Sequence, residues 1–367
     1  GMVYAMLSIG VLGFIVWSCV LASPYSDIRN LINFAICWNS LVLINTLNGK
    51  SLISYTQSAD NMSLNSLKDS KHSVSETTRE TSFNFSAFRQ YYKTIHGNDT
   101  SHICNNWLTW FIGFVEGDGA ILTYANGTRV RFVLTQKESA ILYNIQHKLN
   151  IGVVRHFPQG KSGKNNDFYR WMVDDPSHIL LLAFLFNGNL AVNNRIEQLS
   201  LWINALNNRF GSDTIKLNNT PVSISLQDAW LSGFTDAEGC FNISITANSR
   251  YTLSHVIKMR YLLDKKDSLI LNKICKLFGF GKVTLRSDAD NVYRYTATGF
   301  KPLNYLISYF KLFPLQTKKA ISFEKWLTVH NKVSDKLHLT EKGLAKVRIL
   351  QKQINLNNSV TNKTGAA

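Results

Sequence analysis

Two carboxylates, Asp118 and Glu238, close two apolar stretches of the same character, "WLTWFIGFVEGDG" (107–119) and "WLSGFTDAEG" (230–239). Glycine follows each acid and is a common helix terminator, so each stretch reads as a helix whose last residue is charged. A carboxylate there opposes the helix dipole, at a cost of roughly 0.3–1 kcal/mol. Bringing the two ends together adds like-charge repulsion. A divalent cation between them reverses the sign. Magnesium suits such a pair, because it binds through one or two carboxylates and takes its other oxygens from water and phosphate.

The elements that would bring the acids together are legible in the same stretches. Gly113 and Gly117 are four apart, as are Gly233 and Ala237, which puts each pair on one helix face. Two such smooth stripes let two helix backbones pack closely, relating two halves of the chain by a pseudo-twofold axis. The remainder repeats accordingly. "RFVLTQKESAILYNIQHKLNIGVV" (131–154) lies over "RYLLDKKDSLILNKICKLFGFGKV" (260–283), and "NRIEQLSLW" (194–202) over "KKAISFEKW" (318–326). The acids are 120 positions apart but the segments after them 129, so the second copy holds nine more residues in the intervening hairpin. Each copy reads as helix, two strands, helix, two strands, then one or two helices.

The strands alternate with period two. In "FNISIT" (241–246), Phe241, Ile243 and Ile245 face one side, and Asn242, Ser244 and Thr246 the other. The same pattern puts Lys258 and Arg260 on the polar face of "HVIKMRYLL" (255–263), with Arg129 and Arg131 as their counterparts. In "VYRYTAT" (292–298) the polar face carries Arg294, Thr296 and Thr298. An exposed face that is basic and hydrogen-bonding in both copies suits the phosphates and base edges of a DNA major groove.

Composition points the same way. Lys and Arg number 40 against 24 Asp and Glu, a formal net charge of +16, which implies a polyanionic partner, nucleic acid or an anionic membrane. With 45% hydrophobic and 17% charged residues the chain is globular rather than disordered. Its five cysteines form no C-x-x-C pair, which disfavours a disulfide framework or a zinc ribbon and fits a reducing compartment.

The pattern resembles the LAGLIDADG homing endonucleases, whose nine-residue motif stands here as "FIGFVEGDG" (111–119) and "LSGFTDAEG" (231–239). The resemblance covers roughly residues 105–335, with Phe111, Ile112 and Ser232 departing mildly from the motif. It implies an α+β fold of two pseudo-twofold-related αββαββα repeats, joined through the motif helices, with saddle-shaped antiparallel sheets on double-stranded DNA. The implied reaction is magnesium-dependent hydrolysis of one phosphodiester on each strand. Asp118 and Glu238 are implied as catalytic and metal-binding, with Gln136, Lys265 and Lys318 as further candidates around the metal. Asn194 stands opposite Lys318 in the first copy, so a lysine role there would be asymmetric. Glu116 and Asp236, the other acids of the motifs, are expected to be structural. The alternative is an RNA maturase that assists splicing of its own group I intron, with that RNA as partner. Intact acids favour cleavage. A monomer with two pseudo-symmetric halves is expected.

The first 26 residues carry no charge and read bottom-up as a membrane-span candidate. Within them "GMVYAMLSIGVLGFIVWS" resembles a membrane helix of mitochondrial cytochrome c oxidase subunit I. A fragment that stops mid-helix looks like an upstream exon read in frame into an intron. This implies a mitochondrial, matrix protein that keeps no stable membrane association after processing. The expected organisation is an exon-derived helix (1–22), a leader and flexible linker (23–100), a first half (101–210), an inter-half linker (211–225), a second half (226–335) and a C-terminal helix and tail (336–367). The folded enzyme is expected to begin between Phe83 and Asn105. An oxidase-derived membrane subunit is disfavoured by the long repeat. An intein is disfavoured by the ending "VTNKTGAA", and a histidine-based nuclease by the lack of any H-x-x-x-H pair.

Overall fold

The computed structural model describes residues 83–158, 167–251 and 253–361, with side chains through Ile354. The oxidase-like opening, the leader and linker up to residue 82 and the last six residues lie outside them. Among the described residues no helix is long and apolar enough to cross a membrane.

The first half comprises α2 (Asn105–Asp118), β1 (Gly119–Tyr124), β2 (Arg129–Gln136), α3 (Ser139–Leu149), β3 (Val153–Phe157), β4 (Phe168–Val173), α4 (Pro176–Phe186) and α5 (Asn193–Phe210), preceded by α1 (Ser86–His96). The second comprises α6 (Trp230–Glu238), β5 (Gly239–Ala247), β6 (His255–Lys265), α7 (Ser268–Phe278), β7 (Lys282–Leu285), β8 (Tyr293–Thr298), α8 (Phe300–Leu312) and α9 (Lys319–Ser334). A 3-10 turn (Leu337–Leu339) and α10 (Glu341–Thr361) follow. The fold is α+β as expected, each αββαββ unit ending in two helices.

Both sheets are antiparallel, ordered β1-β2-β4-β3 and β5-β6-β8-β7. The repeat survives in the pairing: Gly119 sits opposite Leu134, and Gly239 opposite Leu263. The nine extra residues are shared out, three to each of β5 and β6 and three to their turn. Each sheet buries one face under helices. Phe132, Trp171, Phe186 and Trp202 fill the first half, and Phe241, Tyr261, Tyr295, Phe310 and Trp326 the second. In each half a helix tryptophan fastens the edge strand: the Trp202 indole donates to Leu122 O (2.9 Å) and the Trp326 indole to Asn242 O (3.3 Å).

Local chemistry starts and stops the helices. Asp175 caps α4 by accepting from the amides of Ser177 (2.9 Å) and His178 (3.1 Å), with Pro176 pre-set for the first turn. Asp267 caps α7 through the Leu269 amide (2.8 Å).

Helix α1 lies at the early end of the range expected for the start of the folded enzyme, Phe83 to Asn105. Its residues fall within the 23–100 leader, yet Phe88, Tyr92 and the preceding Phe85 are buried in the core. Arg89 draws the following loop onto α2, donating to Thr100 O (3.1 Å), Ile103 O (3.0 Å) and Asn105 Oδ1 (2.6 Å). The low-complexity sequence just before this short amphipathic helix hides it from a reading by local pattern.

Candidate functional site

Helices α2 and α6 pack against each other at backbone distance. A Cβ on Gly113 would lie 2.0 Å from Trp230 O, and one on Gly233 would lie 1.8 Å from Trp110 O. Near the helix ends, a Cβ on Gly117 would meet Ala237 Cβ at 2.1 Å and Glu238 Cγ at 3.3 Å. Only stripes of small residues allow this approach, and it carries the two terminal acids into one place.

Two crossed interactions lock the pair. Glu116 is buried and accepts from the Trp230 indole of the opposing helix (2.6 Å) and from the amides of Ala191 (2.8 Å) and Val192 (2.7 Å) ahead of α5. Asp236 does the same from the other side. It accepts from the Trp110 indole (2.8 Å), the Gln316 amide (2.7 Å) and the Thr317 hydroxyl (2.5 Å) ahead of α9. Burial pushes the Glu116 carboxyl up to about 7 against the pull of its three donors. These acids therefore tie each motif helix to its partner and to the next helix of its own half.

Gly119 and Gly239 do not adopt the left-handed backbone that ends many helices. Both are extended, at φ −72° and −80°, and the chain runs straight from helix into strand. Glycine is required there for space: a Cβ would come within 2.7 Å of Val115 O in one copy and 2.4 Å of Thr235 Cγ2 in the other.

The acids themselves sit in unequal surroundings. Asp118 is exposed, and its Oδ2 accepts from Gln136 Nε2 (2.6 Å). Glu238 is half-buried and paired with Lys265, whose ammonium lies 2.5 Å from Oε1. That ammonium also donates to Gly117 O (2.9 Å) and Glu116 O (3.3 Å), so Lys265 bridges the ends of both motif helices. Burial and then the charge of Asp118 raise the Glu238 carboxyl, while Lys265 holds it down.

The lysine expected at the start of the last long helix is displaced by one residue. Lys318 is exposed; its backbone amide donates to Glu138 Oε2 of the first half (2.9 Å), and its charge pulls the Glu138 carboxyl down against burial. Lys319 is the side chain that turns inward, donating to Ala237 O (2.6 Å) and Thr235 O (3.3 Å) at the end of α6. Its counterpart Arg195 reaches Glu116 O and Gly117 O, both at 3.3 Å, at the end of α2. The cationic feature is thus present in both halves, not asymmetric as Lys318 and Asn194 implied. Each cation offsets the negative end of a helix that already terminates in a carboxylate. The repeat carried the signal, since Arg195 and Lys319 align as basic residues in both copies.

The comparisons with known proteins agree with this architecture. Residues 231–330 match the family described as LAGLIDADG endonuclease. The solved structure of the LAGLIDADG meganuclease I-AabMI bound to uncleaved DNA superposes with TM-score 0.53 at 24% identity, covering 66% of this chain and 98% of that one. I-SmaMI, bound to its uncleaved DNA target with calcium ions, gives TM-score 0.53 at 17% identity over 68% and 98%. The fold is that of the LAGLIDADG meganucleases. Among curated proteins, "Probable intron-encoded endonuclease 4" of Neurospora crassa is 36% identical over 262 residues, 70% of this chain and 46% of the relative. The chain thus spans about half the length of that relative.

Within the LAGLIDADG fold the residues expected on the open sheet faces are there, but several are already paired. Asn242, Ser244, Thr246, Lys258, Arg260, Thr296 and Thr298 lie on the uncovered side of the second sheet, with Lys258, Thr246 and Thr298 most exposed. Arg260 donates to Asn242 Oδ1 through Nε (3.0 Å) and Nη2 (2.8 Å). Arg294 grips both oxygens of Asp264 at 2.6 Å, and Arg286 shares the same carboxylate. In the first sheet Arg129 is exposed, whereas Arg131 is joined to Asp174. Arg131 and Arg294, expected on the polar face, are thus each paired with an acid that strand alternation does not show. The acids that pair with them, Asp174 and Asp264, escape such a reading because each belongs to a neighbouring strand or to the residue just past it.

The Glu238–Lys265 pair has a measurable consequence. Lys265 lowers a carboxyl that burial raises, so Lys265→Met leaves it higher still. If ionised Glu238 is needed for reaction, the ionised form is lost at a higher pH in the variant. The acid limb of the cleavage-rate profile is then expected to move upward in Lys265→Met and to stay in place in Lys265→Arg. A limb that stays put in both variants would show that Glu238 does not control it.

Proposed function

We propose that this chain is an intron-encoded, site-specific endonuclease that cuts both strands of a DNA duplex. The observation that carries the reading is the convergence of Asp118 and Glu238 at the ends of two crossed helices, each helix continuing into a sheet with an uncovered, cation-bearing face. The sheets hold the duplex, and the acids meet its backbone between them.

The residues present suit a magnesium-like cation. Asp118 and Glu238 offer hard oxygen donors, and among the described residues no third His, Cys, Asp or Glu joins them. That leaves places for phosphate and water oxygens, the shell such a cation prefers. When bound, the cation supplies charge stabilisation for the attacking and leaving oxygens of phosphodiester hydrolysis. The chain's own groups do the remainder. Gln136 and Lys265 stand within hydrogen-bond distance of the acids, where they orient water and stabilise charge on the phosphate. Lys319 and Arg195 neutralise the helix-end carbonyls and keep the acids' surroundings from becoming too negative for DNA to approach.

The intron-encoded relative and the oxidase-like opening support a mitochondrial protein whose target is the intronless oxidase gene. The junction should follow the codons for "GFIVWS". Purified chain with a DNA spanning that junction is expected to make a double-strand break in magnesium, and none in chelator or in the intron-interrupted gene. Equal cutting of both DNAs would reject this target. Intron splicing without cleavage would favour the maturase reading.

Binding is expected to weaken steeply with salt, since cations on the sheets displace counterions from DNA. Exposed Arg129 and Lys258, each changed to Ala, should reduce the log–log slope by about one. Arg294→Ala should reduce it less, because Asp264 already offsets that charge. Anisotropy titrations across salt concentrations measure all three, and a flat response would place the positive charge elsewhere.

A further inference from the structure

The pairing registers let the two sheets be compared position by position. In the second, Asn242 pairs with Arg260 and Ser244 with Lys258; at the same places in the first, Leu122 pairs with Arg131 and Tyr124 with Arg129. A cross-strand row through the middle runs Leu262, Thr296, Lys282 in the second sheet and Val133, Met172, Val153 in the first. Four polar positions of one face, Asn242, Ser244, Thr296 and Lys282, are thus occupied on the other by Leu122, Tyr124, Met172 and Val153. The first face departs from the hydrogen-bonding surface that strand alternation led us to expect.

These apolar side chains are not core. Leu122 is 42% exposed, Tyr124 40% and Val153 51%. They share their face with Arg129, Arg131, Arg155 and Arg170, and the Arg131 guanidinium lies 5.9 Å from the centre of the Tyr124 ring. Cations beside the apolar row complement phosphates, so the surface fits a polyanion rather than a neutral apolar partner. On a duplex, the apolar feature that a major groove offers is the C5 methyl of thymine.

We propose that the first sheet reads its half-site chiefly through thymine methyl groups, contacted by Leu122, Met172 and Val153, while the second reads hydrogen-bonding base edges through Asn242, Ser244, Thr296 and Lys282. The inference rests on the endonuclease reading above and adds the chemistry that each half of the target must have.

The test uses duplexes selected by the full chain from a randomised pool, with deoxyuridine then replacing thymidine in one half-site at a time. Uracil keeps every hydrogen-bonding group and removes only the methyl. One half-site should be rich in thymine, and binding should weaken there by roughly fourfold for each contacted methyl lost. Uracil in the other half should change affinity by less than about twofold. The double variant Leu122→Asn, Val153→Lys, with both changes at exposed positions, should lose most of the uracil sensitivity, keeping only the roughly fourfold share of Met172, while melting at the wild-type temperature. Indifference to uracil in both halves, or sensitivity undiminished in the double variant, overturns the proposal while leaving DNA binding intact. Wild-type self-association that the double variant abolishes would assign the apolar row to a second copy and overturn it too. A chain that selects no duplex removes this proposal and the endonuclease reading together.

Discussion

Asp118→Asn and Glu238→Gln are each expected to lower the cleavage rate by about a thousandfold or more while leaving duplex affinity within a few-fold. The acids sit at the helix ends, whereas the side chains able to contact phosphates and bases lie on the sheets. An amide keeps the size of the carboxylate but loses its charge and its affinity for a hard cation. The two variants should part company in stability. In Asp118→Asn the new amide oxygen can still accept from Gln136, and the like charge beside Glu238 is gone. That variant should melt at or slightly above the wild-type temperature in metal-free buffer. Glu238→Gln leaves the Lys265 ammonium, whose side chain is only 14% exposed, without its counter-charge. Its backbone acceptors remain, so a modest loss of about 1–2 kcal/mol is expected. Single-turnover cleavage, anisotropy and thermal melting separate these effects. Loss of binding in step with loss of cleavage would mean that the acids hold the duplex or the fold instead.

Among the glycines where α2 and α6 cross, Gly233 is expected to tolerate an added methyl least. The new carbon would lie 1.8 Å from Trp110 O, 2.7 Å from Trp110 C and 2.8 Å from Phe114 N, all backbone atoms of α2. No rotamer change relieves contact with a backbone, so the helices must separate. That separation strains Trp110–Asp236 and Trp230–Glu116, the buried hydrogen bonds on either side of the crossing. A loss of roughly 4 kcal/mol or more follows, enough to unfold a marginally stable domain. Gly97→Ala is the control, because Gly97 has positive φ (71°) but nothing within 4 Å of its added carbon. It should cost only about 1 kcal/mol. Urea titration of both variants decides the matter, and a Gly233→Ala protein as stable as Gly97→Ala would show that α2 and α6 do not cross at backbone distance.

Much of this molecule could be read from local pattern, because local pattern is what produces it. The small-residue stripe, strand alternation and repeat offsets are short-range properties that determine helix, strand and pseudosymmetry before any packing is known. The convergence of Asp118 and Glu238 followed from them, since helices that pack through matched stripes bring matched ends together. What depended on long-range partners was beyond such reading. Successive helix residues point about 100° apart, so a shift of one residue decides that Lys319 and not Lys318 reaches the site. Nothing in "PLQTKKA" alone chooses between them. Asp264 and Asp174 quench Arg294 and Arg131 across strands, and a charge count along one strand cannot register that. Glycine after each acid looked conformational, but the close approach of Val115 and Thr235 makes it a question of volume. The apolar row of the first sheet emerges only when registers place Leu122 over Asn242 and Met172 over Thr296, since side chains from four strands form one surface only after the sheet has closed.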